Sequence, residues 1–170
     1  MMKRTLVAFM LVGCMVLALA GFCSCKDSDK DGSETQTSSS MFGITYNGVN
    51  IELNKAAADV LQKLGEPKRT DNLGDCGGIG VQTKYTYDNI TVNTLKEEKG
   101  EIIHKIGFTS DLVATSKGIS IGASEADVTA KYGQPASTDN GRYVYESGNL
   151  NLQFTIKDGK VTAIEYFREV

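Results

Sequence analysis

The chain has 170 residues, with 18 basic and 21 acidic side chains, a net charge of −3, one histidine, four cysteines and no tryptophan. That length suits one ordinary domain or two small ones. No basic stripe is present, so nucleic acid is not an expected partner. With only His104 and Cys76 beyond the N-terminal region, zinc lacks its usual ligands, and no metal or cofactor is expected.

In chain order, Lys3 and Arg4 precede an almost unbroken apolar run from Thr5 to Phe22. This is the pattern of a secretory signal. The competing reading is a membrane anchor, since about 18 apolar residues just cross a bilayer. The cluster Cys23-Ser24-Cys25 and the polar tract after it argue for the signal. Phe22-Cys23-Ser24-Cys25 resembles the lipobox of bacterial lipoproteins, in which a Cys receives two acyl chains (palmitate or similar) on a glyceryl group and becomes the mature N-terminus. The resemblance implies lipidation at Cys25, with Cys23 as the alternative. Leu11-Val12-Gly13-Cys14 matches locally but would leave an unusually short signal. Two or more acyl chains hold a protein stably at a membrane, whereas one does so only marginally.

Lys26 to Ser40 contains no apolar residue and reads as a flexible tether spanning roughly 20 Å. Phe42 to Tyr46, the turn Asn47-Gly48 and Val49 to Leu53 then read as a β-hairpin. The next segment carries the main internal signal. The decapeptide Ala58 to Pro67 returns as Ala126 to Pro135, and Tyr85-Thr86-Tyr87 and Ile106 return, sharing an offset of their own, as Tyr143-Val144-Tyr145 and Ile164. Each decapeptide predicts a short helix, capped by Asn54 or Ser124 and closed by Gly65-Glu66-Pro67 or Gly133-Gln134-Pro135. Asp59, Asp127, Lys63 and Lys131 suit the helix dipole and read as structural.

Strands are expected at 85–87, 90–93 and 102–108, and again at 142–145, 150–156 and 161–166. Asp111 to Ile121 is expected to repeat the first hairpin. In the best-patterned strand Leu150, Leu152, Phe154 and Ile156 face one way, and Asn151, Gln153 and Thr155 face outward. The expected fold is α+β, two tandem repeats, each a hairpin and short helix on an antiparallel meander. The expected organisation is signal peptide 1–24, lipidated Cys and tether 25–41, first repeat 42–110 and second repeat 111–170.

The order of short helix, Gly and Pro stop, then a meander with a Tyr-x-Tyr strand resembles the secreted β-lactamase inhibitor proteins, which carry two such repeats. It is also similar to the single-repeat lipoproteins of outer-membrane assembly. The resemblance implies a concave polar sheet surface that grips a protein. The matching positions are Asn151, Gln153 and Thr155, the pairs Tyr85 with Tyr87 and Tyr143 with Tyr145, and the loop from Pro67 to Tyr85. The tyrosines read either as core or as a wet aromatic platform.

The chemical readings are weaker. The Gly-rich stretch at 74–80 is not followed by a helix start or a Lys-Ser or Lys-Thr pair, so it does not match a phosphate cradle. Cys76 lacks a neighbouring base, and His104 is far from it in sequence. Asp71 with Asp75, and Asp27, Asp29 and Asp31, lack the full calcium loop. The expectation is therefore a non-catalytic, membrane-anchored extracytoplasmic lipoprotein that binds a protein or cell-wall ligand. An envelope assembly or structural lipoprotein is the alternative.

Overall fold

The computed structural model describes residues 40–75 and 78–170. The predicted signal peptide, Cys23, Cys25, nearly all of the tether and Cys76 lie outside the described residues. Strands β1 (Gly43–Tyr46) and β2 (Val49–Glu52) lead to helix α1 (Ala57–Leu64). Four strands follow: β3 (Arg69–Asp75), β4 (Val81–Thr86), β5 (Ile90–Glu97) and β6 (Gly100–Phe108). Helix α2 (Glu125–Tyr132) then precedes β7 (Ser137–Asp139), β8 (Arg142–Ser147), β9 (Leu150–Lys157) and β10 (Lys160–Arg168). β1 and β2 form a two-stranded hairpin, and the other eight strands form one antiparallel sheet in the order β3-β4-β5-β6-β10-β9-β8-β7.

Two-residue turns set much of the ladder. Asn47-Gly48, Asn140-Gly141 and Asp158-Gly159 each hold both residues at positive φ, as 50° and 77°, 47° and 78°, and 51° and 71°. That geometry matches the right-handed twist of the strands it joins. At Gly141 nothing larger fits, because a Cβ would stand 2.4 Å from the Ile156 carbonyl oxygen.

Both decapeptides are helical, but only eight residues are helical in each. Helices this short do not persist alone. Their lead-ins are stitched to the sheet by backbone bonds. Asn54 N–H donates to Ile103 O and Ile103 N–H to Lys55 O, both at 2.8 Å. Gly122 N–H donates to Val161 O at 2.8 Å and Val161 N–H to Ala123 O at 2.9 Å. Ser124 makes a full capping box, its hydroxyl accepting from Asp127 N–H while the Asp127 carboxylate accepts from Ser124 N–H. The Ser124 hydroxyl also donates to that carboxylate at 2.6 Å, and this bond first, with the Ser124 N–H second, holds the Asp127 carboxyl below its ordinary value. Asn54 does not cap α1. Ala56 occupies that position without a side-chain bond, and Asn54, at φ 66°, accepts from Arg168 Nη1 at 2.8 Å instead.

The expected α+β fold of two matching repeats is corrected. Of the described residues, strands take 51% and helix 12%, so the fold is mostly β around one eight-stranded sheet. The two halves also differ element by element. Asp111 to Ile121 forms no strand. Thr115 instead closes a local loop, its N–H donating to Ile119 O at 2.8 Å and its Oγ1 accepting from Ile119 N–H at 3.0 Å, a side-chain bond that competes with a ladder. The expected loop after Pro67 is largely strand, with Arg69 to Asp75 pairing with Val81 to Thr86. β3 and β7 carry few apolar residues because both are sheet edges and largely exposed.

The core lies on the helix-covered side of the sheet. Ile106, Tyr166, Leu152, Phe154 and Val128 are fully buried there, with Ala57 and Ile51 from the first helix and hairpin. Tyr132 packs 5.3 Å from both Tyr145 and Phe154, and those two rings meet edge to face at 5.9 Å. Removing the cap in Ser124→Ala is expected to lower unfolding free energy by about 1 kcal/mol in urea titration. An unchanged midpoint would show that the backbone stitching alone fixes α2.

Candidate functional site

Strand alternation sorts the residues by face. The ladder aligns Tyr85, Val92, Ile106, Tyr166, Leu152 and Tyr145 in one row on the helix-covered side. A neighbouring row on the opposite, polar face runs Thr86, Thr91, Gly107, Glu165, Gln153 and Val144. Next to it on that face runs Lys84, Asn93, Lys105, Phe167, Asn151 and Glu146.

The seven residues expected to bind a partner therefore do not make one surface. Gln153 and Thr155 are half-buried on the polar face, as expected. Asn151 shares their face but is not outward in the accessible sense: it is 1% exposed, and neither its amide oxygen nor its nitrogen has a hydrogen-bond partner. The tyrosines belong to the other side. Tyr87 and Tyr145 are buried, and Tyr145 Oη donates to Gly133 O at 3.0 Å, tying strand to helix end. Tyr143 Oη donates to the Glu125 carboxylate. Burial raises the phenol pKa of Tyr87 and Tyr145. The wet-platform reading of the tyrosines is thus corrected: Tyr87 and Tyr145 are core, and Tyr143 braces α2. Tyr85 stays half-buried at the margin of the helix cover, where burial first and the Glu101 carboxylate second push its phenol up.

The polar face has its own electrostatics. Lys105 Nζ and Glu165 Oε1 stand 2.7 Å apart at its centre, each about a third exposed. Exposed or half-exposed pairs contribute roughly 0–1 kcal/mol, so this pair orients more than it stabilises. His104 is the extra residue of a bulge in β6, since Asn93 pairs with Lys105 and Thr94 with Ile103. It is 7% exposed with Nδ1 unpartnered. Burial, then the positive charges of Arg168 and Lys105, hold its pKa below 6.5, against a smaller upward pull from Glu97. Arg168 is itself engaged, donating to Glu97 Oε1 at 2.5 Å and to Asn54. Among the described residues no three His, Cys, Asp or Glu side chains gather to hold a metal ion.

One feature of the helix-covered side escaped the sequence reading. On that side Val81, Thr83, Tyr85, Lys96, Gly100 and Glu101 line a pocket of about 330 Å³. The pocket was not legible in the sequence, because it depends on the register that sets Lys96 opposite Glu101.

His104 is favoured neutral in the fold, so its contribution is present above pH 6.5 and drains away as pH falls below that value. Urea titrations from about pH 7.5 to 5 are expected to show falling stability, with a shallower slope in His104→Gln. Equal slopes would remove His104 as the cause.

Sequence and structure comparisons give few relatives. A family described as a domain of unknown function (DUF7738) matches residues 39–118. No curated protein matches. Among solved structures, a cysteine-rich secretory protein from Staphylococcus aureus is 14% identical at TM-score 0.49, covering 69% of this chain and 44% of its own. A DUF4309 family protein from Bacillus subtilis is 19% identical at TM-score 0.43, covering 74% and 85%. An extracellular protein containing an SCP domain from Bacillus anthracis is 15% identical at TM-score 0.42, covering 87% and 50%. The chain thus spans less than half the length of the Staphylococcus protein.

Proposed function

We propose that the chain is an extracytoplasmic lipoprotein, anchored through acylated Cys25 or, in the alternative, Cys23, whose β-rich head binds a protein or cell-wall ligand without catalysis. The N-terminal charge, apolar run and cysteine cluster support the anchor. The head's binding role rests on one observation: Asn151, buried on the polar sheet face beside half-buried Gln153, has two unpaired polar atoms. A buried amide left without partners costs about 1–3 kcal/mol. A fold retains such a cost more readily where a ligand's hydrogen bonds offset it.

Two measurements test this. Mass spectrometry of the membrane-extracted protein is expected to find a diacylglyceryl group on an N-terminal Cys25, and an unmodified chain beginning before Cys14 would refute the anchor. Asn151→Leu is expected to raise stability by up to about 1 kcal/mol, because it removes the unpaired amide. The same variant is expected to lose any partner that the wild type cross-links on intact cells. A variant that is destabilised while retaining the same cross-linked species would end the polar-face reading.

A further inference from the structure

The pocket at the β4, β5 and β6 corner lies on the side of the sheet opposite Asn151, and its chemistry is independent of the polar-face reading. Lys96 and Glu101 are directly opposed across β5 and β6. Opposed charges at such positions ordinarily pair. Here they do not close on each other: among the described residues Lys96 has no ion pair. Glu101 turns one oxygen, Oε1, inward to accept from Thr94 Oγ1. Thr94 is fully buried, which fixes the carboxylate at the pocket floor. The remaining wall is apolar on one side, with Val81 44% exposed and the half-buried ring of Tyr85 beside it. The volume, about 330 Å³, falls at the small end of the roughly 300–1,000 Å³ typical of small-molecule clefts.

The separated, opposite charges of Lys96 and Glu101 flanking an apolar wall define the ligand. We propose that this pocket binds a free α-amino acid with an apolar side chain. Its ammonium group meets the second Glu101 oxygen, its carboxylate meets Lys96 Nζ, and its side chain lies against Val81 and Tyr85. A ligand with one charge alone leaves one of the two pocket charges uncompensated. A neutral sugar supplies neither charge. Protonated Tyr85 and Thr83 add hydroxyl donors at the rim.

Equilibrium dialysis of the detergent-solubilised full chain against radiolabelled leucine tests the assignment. Saturable binding is expected, weakened roughly tenfold or more by Lys96→Met and by Glu101→Gln, since each removes a charge-assisted hydrogen bond. Gln at 101 keeps an acceptor for Thr94, and Lys96 is exposed, so both variants are expected to retain the wild-type circular dichroism spectrum. N-acetyl-leucine and leucinamide, each lacking one charge, are expected to compete at least tenfold less well than leucine, and a neutral disaccharide not at all. Asn151→Leu is expected to leave leucine binding unchanged, which separates this site from the polar face. The proposal is overturned by absence of saturable binding up to about 10 mM, by equal competition from N-acetyl-leucine, or by binding that both charge variants leave intact.

Discussion

The pairing of β6 with β10 is the constraint on which the rest of the sheet depends. Three residue pairs, Glu165 with Gly107, Tyr166 with Ile106 and Phe167 with Lys105, are in register there. Each strand arrives at this seam from its own meander, and the outermost strands, β3 and β7, are polar edges that contribute little burial. A one-residue slip would turn Tyr166 and Ile106 to the polar face and send Lys105 and Glu165 toward the core. Both consequences are unfavourable, but not equally. The Lys105–Glu165 pair is worth at most about 1 kcal/mol where it stands. Burying Ile106 completely contributes about 1.5–3 kcal/mol, before the ring of Tyr166 is counted. Hydrophobic burial therefore sets the register, and the ion pair follows from it.

The seam also explains how two eight-residue helices hold their places. Their lead-ins bond to Ile103 on β6 and Val161 on β10, the two strands that meet at the centre. Arg168, near the end of β10, reaches both Glu97 on β5 and Asn54 before α1, a contact across 114 residues of sequence. The end of β10 and the entry to α1 are thereby tied together. Asn54 serves this tie rather than a helix cap, which accounts for its left-handed φ of 66°. Asn is among the residues that tolerate that region best.

What could be read in the sequence was local. Asn47-Gly48, the Ser124–Asp127 box and the Gly and Pro stops specify turns and helix ends through a few adjacent residues, and each appears where it was expected. The long strands β9 and β10 were legible because their inner faces are buried and alternate. The edges were not: a strand exposed on both faces needs no apolar alternation, so Arg69 to Asp75 looked like loop. The matching decapeptides suggested equal halves, yet Thr115 spends its hydroxyl on a local bond where the first half makes a hairpin. The candidate site failed for a related reason. Alternation says that Tyr85 and Tyr87 share a face, but which face is decided by distant partners, Val92 and Ile106 in the ladder.

That sorting matters for function more than any single residue. Adjacent residues of β4, Lys84 and Tyr85, stand on opposite sides of the sheet, one in the polar row with Lys105 and Asn151, the other beside Glu101 and Lys96. A backbone one strand thick thus separates two chemically different surfaces. On the polar face the charges at the centre are already satisfied, Lys105 by Glu165, so recognition there falls to neutral amide groups such as Asn151 and Gln153. At the corner pocket the opposite holds: Lys96 and Glu101 keep opposed charges apart, so recognition there is ionic and suited to something small. Because the two faces share no side chains, a ligand on one adds no direct contact to the other, and any coupling between them has to travel through the register of β4 against β5.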